Sequence, residues 1–117
     1  MLKSTSKEFK LRWGNWTPTE SITRAEKLLK AHRNEAVIEA LTPLAGQVKG
    51  DALKCRYLYS LGRALRKVRR WKKARPLIDE AVKVCAAAQH DLEPWARHLA
   101  GQAAERLSDE TGAANYF

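Results

Sequence analysis

The feature that most constrains this chain is a succession of apolar stripes at helical spacing, each ended by a turn signal. Thr17-Pro18-Thr19-Glu20 opens the series. Thr17 is placed to cap a helix, Pro18 stands where a missing N–H is harmless, and Glu20 completes a capping box. Behind it Ile22, Ala25, Leu28 and Leu29 share one helix face, and His32-Arg33-Asn34 reads as a turn. Val37, Ala40, Leu41, Leu44 and Val48 make a second stripe, in which Pro43 should kink the helix or end it early. Gly50-Asp51 punctuates the chain, with Asp51 as the expected cap of a third helix over about 52–68 that buries Leu58, Leu61, Leu65 and Val68. After a turn across 67–70, a fourth helix carries Trp71, Ala74, Leu77, Ile78, Ala81, Val82 and Cys85 on one face. Pro94 opens a fifth with Ala96, Leu99, Ala100, Ala103 and Leu107, and Ser108-Asp109 caps a short sixth reaching Phe117. Almost no strand signal competes. The expectation is an all-α chain of three helical hairpins, at about 17–49, 51–88 and 94–117, behind a basic, aromatic arm over residues 1–16.

Hydrophobic residues at 44% and charged residues at 30% of 117 suit a folded domain rather than a disordered tail. The longest apolar run, Val84 to Ala88, is far too short to span a membrane, so no membrane insertion is expected. Residues 1–10 lack the apolar centre of a secretory signal. Cys55 and Cys85 stand without CxxC spacing or a Cys/His cluster. Neither a disulfide framework nor a zinc site is therefore expected, and Cys85 reads as a small core residue. A reducing, cytoplasmic setting fits, with an organelle interior left open.

The third and fourth stripes show a finer pattern. Leu58-x-x-Leu61-Gly62-x-x-Leu65 is followed by Ala74-x-x-x-Ile78 and then Ala81. This resembles the tetratricopeptide repeat, most clearly over residues 55–88. Small Gly62 and Ala74 would let two antiparallel helices approach closely, with large residues filling the space on either side. Trp71-Lys72-Lys73-Ala74 is similar to the opening of that family's second helix. Ala86 stands where the family has proline, and Pro76 resembles the kinesin-light-chain type of repeat. In the last hairpin two registers fit, Gly101 with Ala113 and Phe117, or Ala100 with Gly112 and Tyr116. The resemblance implies a right-handed α-solenoid of about three hairpins whose first helices line a concave groove. The same amphipathic spacing also suits an unrelated helical bundle.

Motifs for catalysis are absent. His32, His90 and His98 include no pair spaced for a helical metal site, and no Gly-rich phosphate loop or nucleophile setting is found. Asp79 and Glu80 are adjacent and so point in different directions on a helix. A protein without enzymatic activity or cofactor is expected.

Charge points to binding instead. The net charge is +9, concentrated in residues 51–90, where 11 basic side chains face 3 acidic ones; residues 91–117 carry 2 and 5. On the third helix Arg56, Tyr59, Arg63, Arg66 and Lys67 fall within about a third of the circumference, opposite the leucines. The resemblance places that stripe in the groove, together with Trp95, His98 and Gln102 of the fifth helix. Arginines suit carboxylates, so the expected partner is an acidic peptide or protein surface, as for an adaptor, scaffold or assembly factor. The family's carboxylate clamp is not visible, since Ser21 and Ala25 stand where its first helix would need Lys and Asn. Two alternatives use the same charges. One is RNA or DNA binding through the segment 66–75, with Arg69, Arg70, Lys72, Lys73 and Arg75 as contacts, helped by the arm. The other is a structural subunit of a larger complex. Tyr116 and Phe117 are suited either to fold back on the fifth helix or to meet a second copy through the C-terminal helix.

Overall fold

A computed structural model describes residues 17–107 as five α-helices: α1 (Pro18–Lys30), α2 (Asn34–Leu41), α3 (Asp51–Lys67), α4 (Trp71–Ala87) and α5 (Glu93–Arg106). A 3₁₀ turn over Thr42–Leu44 follows α2. The fold is all-α, with no strand among the described residues. The arm over 1–16 and the expected sixth helix, with Tyr116 and Phe117, lie outside them.

Local chemistry sets the helix limits. At the start of α1 the Thr17 N–H donates to Glu20 Oε1 at 3.1 Å, and the Glu20 N–H donates to Thr17 Oγ1 at 3.2 Å. The Thr17 backbone N–H, and to a lesser degree the Thr17 side chain, hold the Glu20 carboxylate below its ordinary pKa. Helix α2 stops at Leu41, as Pro43 requires, and its chain tightens into the 3₁₀ turn. Asp51 is not a cap. Gly50 occupies that position with φ +88°, and Asp51 is the first residue of α3, where its charge favours the positive end of the helix dipole.

The turns within the first two hairpins have the same backbone. His32 and Arg69 both enter the left-handed region, at φ 61° and 63°. In each turn that residue donates to a carbonyl near the helix end and the next residue donates to the carbonyl one residue further back: His32 to Leu29 and Arg33 to Leu28, then Arg69 to Arg66 and Arg70 to Leu65. This is the Schellman arrangement, built without glycine. A third copy closes α4, with Gln89 at φ 51° bonding to Ala86 and His90 to Cys85.

Each helix packs on its neighbour in chain order, and α3 also touches both α1 and α5. The buried faces are the expected ones: Ile22 and Ala25 from α1, Val37 and Leu41 from α2, Leu58, Leu61 and Leu65 from α3, Ala74, Ile78 and Ala81 from α4, and Ala96, Leu99, Ala100 and Ala103 from α5. Between α3 and α4 the approach is close. A Cβ added to Gly62 would lie 2.7 Å from Ile78 Cγ1, and Ile78 is itself 0% exposed. Only glycine fits there without displacement.

The cysteines correct the sequence reading. Cys55 and Cys85, both fully buried, are joined in a disulfide with their Cα atoms 4.8 Å apart, tying the first half of α3 to the last half of α4. The two positions are equidistant from Arg70, at the hairpin turn, so antiparallel packing brings them level. The expectation of a reducing setting rested on unpaired cysteines and loses that support. Among the described residues no helix is long and apolar enough to cross a membrane.

Candidate docking cleft

Between α3 and α5 the surface opens into a cleft of about 470 Å³. Tyr59, Arg63 and Arg66 line it from α3, and Trp95, His98 and Gln102 from α5, with Leu92 and Leu99 as apolar walls. Six of the eight residues expected to meet a partner are thus brought to one opening. The helical repeat explains why. Tyr59, Arg63 and Arg66 are spaced four and three apart, and so are Gln102, His98 and Trp95 read backwards, so each set forms one stripe on its helix.

The turn before α5 sets one end of this wall. The Leu92 N–H donates to His90 Nδ1 at 3.0 Å, which closes the polar break between α4 and α5 and places Leu92 in the cleft. On α5 itself, Gln102 Nε2 donates to His98 Nε2 at 3.1 Å. Trp95 is 62% exposed, the one large apolar side chain so open among the described residues. Its indole offers a flat apolar face at the edge of the cleft.

The other two expected residues go elsewhere. Arg56 turns toward α1, where its Nε donates to Glu26 Oε2 at 3.1 Å and its Nη2 donates to Glu26 Oε1 at 2.6 Å and Thr23 Oγ1 at 3.1 Å. That two-point grip pushes the Arg56 pKa up, against partial burial, and fixes α3 to the first hairpin. Lys67 lines a continuation of the cleft with Arg66, Arg69, Trp71 and Arg106. Arg106 is the residue that sequence reasoning missed. It lies four positions beyond Gln102, so extending the stripe Trp95, His98, Gln102 by one turn would have found it.

The residues proposed for nucleic acid do not gather. Arg69 lines the continuation of the cleft, Arg70 pairs with Glu35 at 3.4 Å, and Arg75 pairs with Asp79 at 3.6 Å. Lys72 and Lys73 are exposed in the first turn of α4.

Lys54, Arg56, Arg70, Arg75 and Arg97 all have carboxylate partners. Arg63, Arg66, Arg69 and Arg106, which line the cleft and its continuation, have none among the described residues. Those residues also hold no group of three or more His, Cys, Asp or Glu placed to bind a metal ion. Comparison with models of known protein families, with curated proteins and with solved structures finds no match.

Proposed function

We propose that this protein is a non-enzymatic protein–protein interaction module, a short right-handed tetratricopeptide-like solenoid that takes an extended acidic segment of a partner into the cleft between α3 and α5. The observation that carries this reading is the pair Arg63 and Arg66, without carboxylate partners, facing the exposed indole of Trp95 across a cleft with no acidic side chain on its walls. A partner's carboxylates supply the missing counter-charges, and an apolar side chain of the same segment covers Trp95 between Tyr59 and Leu92. Cations held ready in this way raise the association rate and fix the orientation of an acidic ligand.

The test uses a labelled hexaglutamate peptide and fluorescence polarisation. Arg63→Glu combined with Arg66→Glu should weaken binding about a hundredfold, because reversal adds repulsion to lost attraction, while both residues changed to Ala should weaken it about tenfold. Lys83→Glu, on an exposed position of α4 outside the cleft, should change it little. Equal losses in the two reversals would mean that hexaglutamate senses only net charge, and the cleft would lose its claim.

A further inference from the structure

Beyond Gln102 the cleft continues into a second recess of about 360 Å³, lined by Arg66, Lys67, Arg69, Trp71 and Arg106. These residues come from the last turn of α3, the turn into α4, the first residue of α4 and the last turn of α5. Glu105 is the one carboxylate on the stretch that joins this recess to Gln102, and it forms no ion pair there. Arg66 belongs to both recesses. Its guanidinium lies 5.9 Å from the centroid of the Trp71 ring, and its Nε is enclosed with no hydrogen-bond acceptor.

Four cations, two from the end of α3, one from the turn into α4 and one from the end of α5, therefore line one recess beside the Trp71 indole, and none of them forms an ion pair among the described residues, not even with the neighbouring Glu105. Mutual repulsion opposes this arrangement, and a bound anion relieves it. The number of cations decides which anion. A carboxylate brings one charge and two acceptor atoms. A phosphoryl monoester brings close to two charges and three acceptor oxygens, a better match to several guanidinium groups. The positive end of the α4 dipole, beginning at Trp71, adds to the attraction.

We propose that this second recess is a phosphoryl-binding subsite, and that the acidic segment docked in the cleft carries a phosphorylated side chain seated among Arg66, Lys67, Arg69 and Arg106. This inference rests on the docking reading above, and the experiment separates the two.

Isotope-labelled full-length protein is titrated at constant ionic strength with inorganic phosphate, then with two capped glutamate-rich hexapeptides that differ only in phosphoserine against serine. Phosphate should saturate and shift the amides of Arg66 to Trp71 and of Arg106. The phosphopeptide should bind about tenfold more tightly than its serine twin. Lys67→Gln combined with Arg106→Gln, both exposed helix-end positions, should abolish that preference while leaving the serine twin's affinity within a factor of about two. Helicity of the variant is checked by circular dichroism. Equal binding of the twins with no saturable phosphate response overturns the subsite, and leaves the docking reading standing if both peptides still shift Tyr59, Arg63 and Trp95. Saturable phosphate with no peptide response at those three residues overturns the docking reading, and with it a peptide as carrier. Tighter binding of hexathymidylate, or of vesicles containing phosphatidylinositol phosphate, than of the phosphopeptide likewise overturns a protein carrier.

Discussion

The first two hairpins share a turn and differ in everything that holds their helices together. At Ala31-His32-Arg33 and Val68-Arg69-Arg70 the chain makes the same bend, with φ of 61° and 63° at the central residue and matching hydrogen bonds back to the preceding helix. Yet α2 runs for only 8 residues, whereas α3 and α4 run for 17 each. The second hairpin adds a glycine notch for Ile78 and a buried disulfide. The first hairpin has neither, and leans on its neighbour through Arg56 to Glu26 and Arg70 to Glu35. A turn thus sets the direction of two helices, while side chains decide how firmly they are held. The firm hairpin is also the one that supplies Tyr59, Arg63 and Arg66 to the cleft.

Removing the covalent tie should have the largest effect on this contrast. Under reducing conditions, urea unfolding should show a loss of about 3.6 kcal/mol, since the bond closes a loop of separation 30 in the unfolded chain. Hydrogen exchange should accelerate most in α3 and α4. Acceleration centred instead on α1 and α2 would show that the second hairpin is held mainly by packing.

Filling the notch comes next. Gly62→Ala gains helix propensity of about 1 kcal/mol, but its Cβ would meet Ile78 Cγ1 at 2.7 Å within a fully buried contact. A net destabilisation is expected, and Gly62→Leu should cost more, about 1–3 kcal/mol beyond the propensity gain. An alanine variant more stable than the parent in chemical denaturation would mean that α3 and α4 can separate at no cost.

The shared turn offers a matched pair of smaller changes. His32→Gly and Arg69→Gly should each stabilise the protein by about 0.5–1 kcal/mol, because glycine adopts the left-handed conformation freely while other residues are strained there. Equal effects on thermal unfolding are expected from equal geometry. Unequal ones would locate a side-chain role, and the two positions differ in that Arg69 lines the second recess while His32 does not.

Much of this was legible in the sequence, for reasons that are local. The capping box at Thr17, the stop at Pro43 and the apolar faces of all five described helices depend on residues within a few positions of one another, and Gly62 stands out as a small residue in a leucine stripe although the Ile78 that fills its notch comes from the next helix. The stripe Tyr59, Arg63, Arg66 was readable from helical spacing, whereas the expectation that Trp95, His98 and Gln102 share its groove came from the resemblance to the tetratricopeptide repeat. What escaped depended on pairings across space. Arg56 shares the stripe by angle, but its charge is taken by Glu26 thirty residues away. Cys55 and Cys85 look unrelated until the hairpin is folded about Arg70. The left-handed turns were hidden because His32, Arg69 and Gln89 occupy positions where glycine is the usual signal. Arg106 extends the stripe Trp95, His98, Gln102 by one turn, but only its meeting with Arg66 and Trp71 in space makes it a lining residue.

The smallest effect should appear at the start of the first hairpin, where a titrating cap exists that the second hairpin lacks. Glu20 bonds to the Thr17 N–H, whereas neither Gly50 nor Arg70 offers a side-chain cap to α3 or α4. The Glu20 pKa is lowered in the folded state, so its contribution is present above the unfolded carboxylate value and is lost as pH falls through the folded one. Amide exchange in the first turn of α1 should therefore quicken as the solution is acidified below the ordinary glutamate range. The first turn of α4 holds no acidic side chain and should show no matching step. Glu20→Gln keeps an acceptor for the Thr17 N–H but cannot titrate, so it should flatten the acid response of α1 without removing the helix start. If the wild-type and Glu20→Gln proteins quicken alike at low pH, the acid sensitivity of α1 comes from another carboxylate, and the capping box is a geometric feature with no measurable charge component.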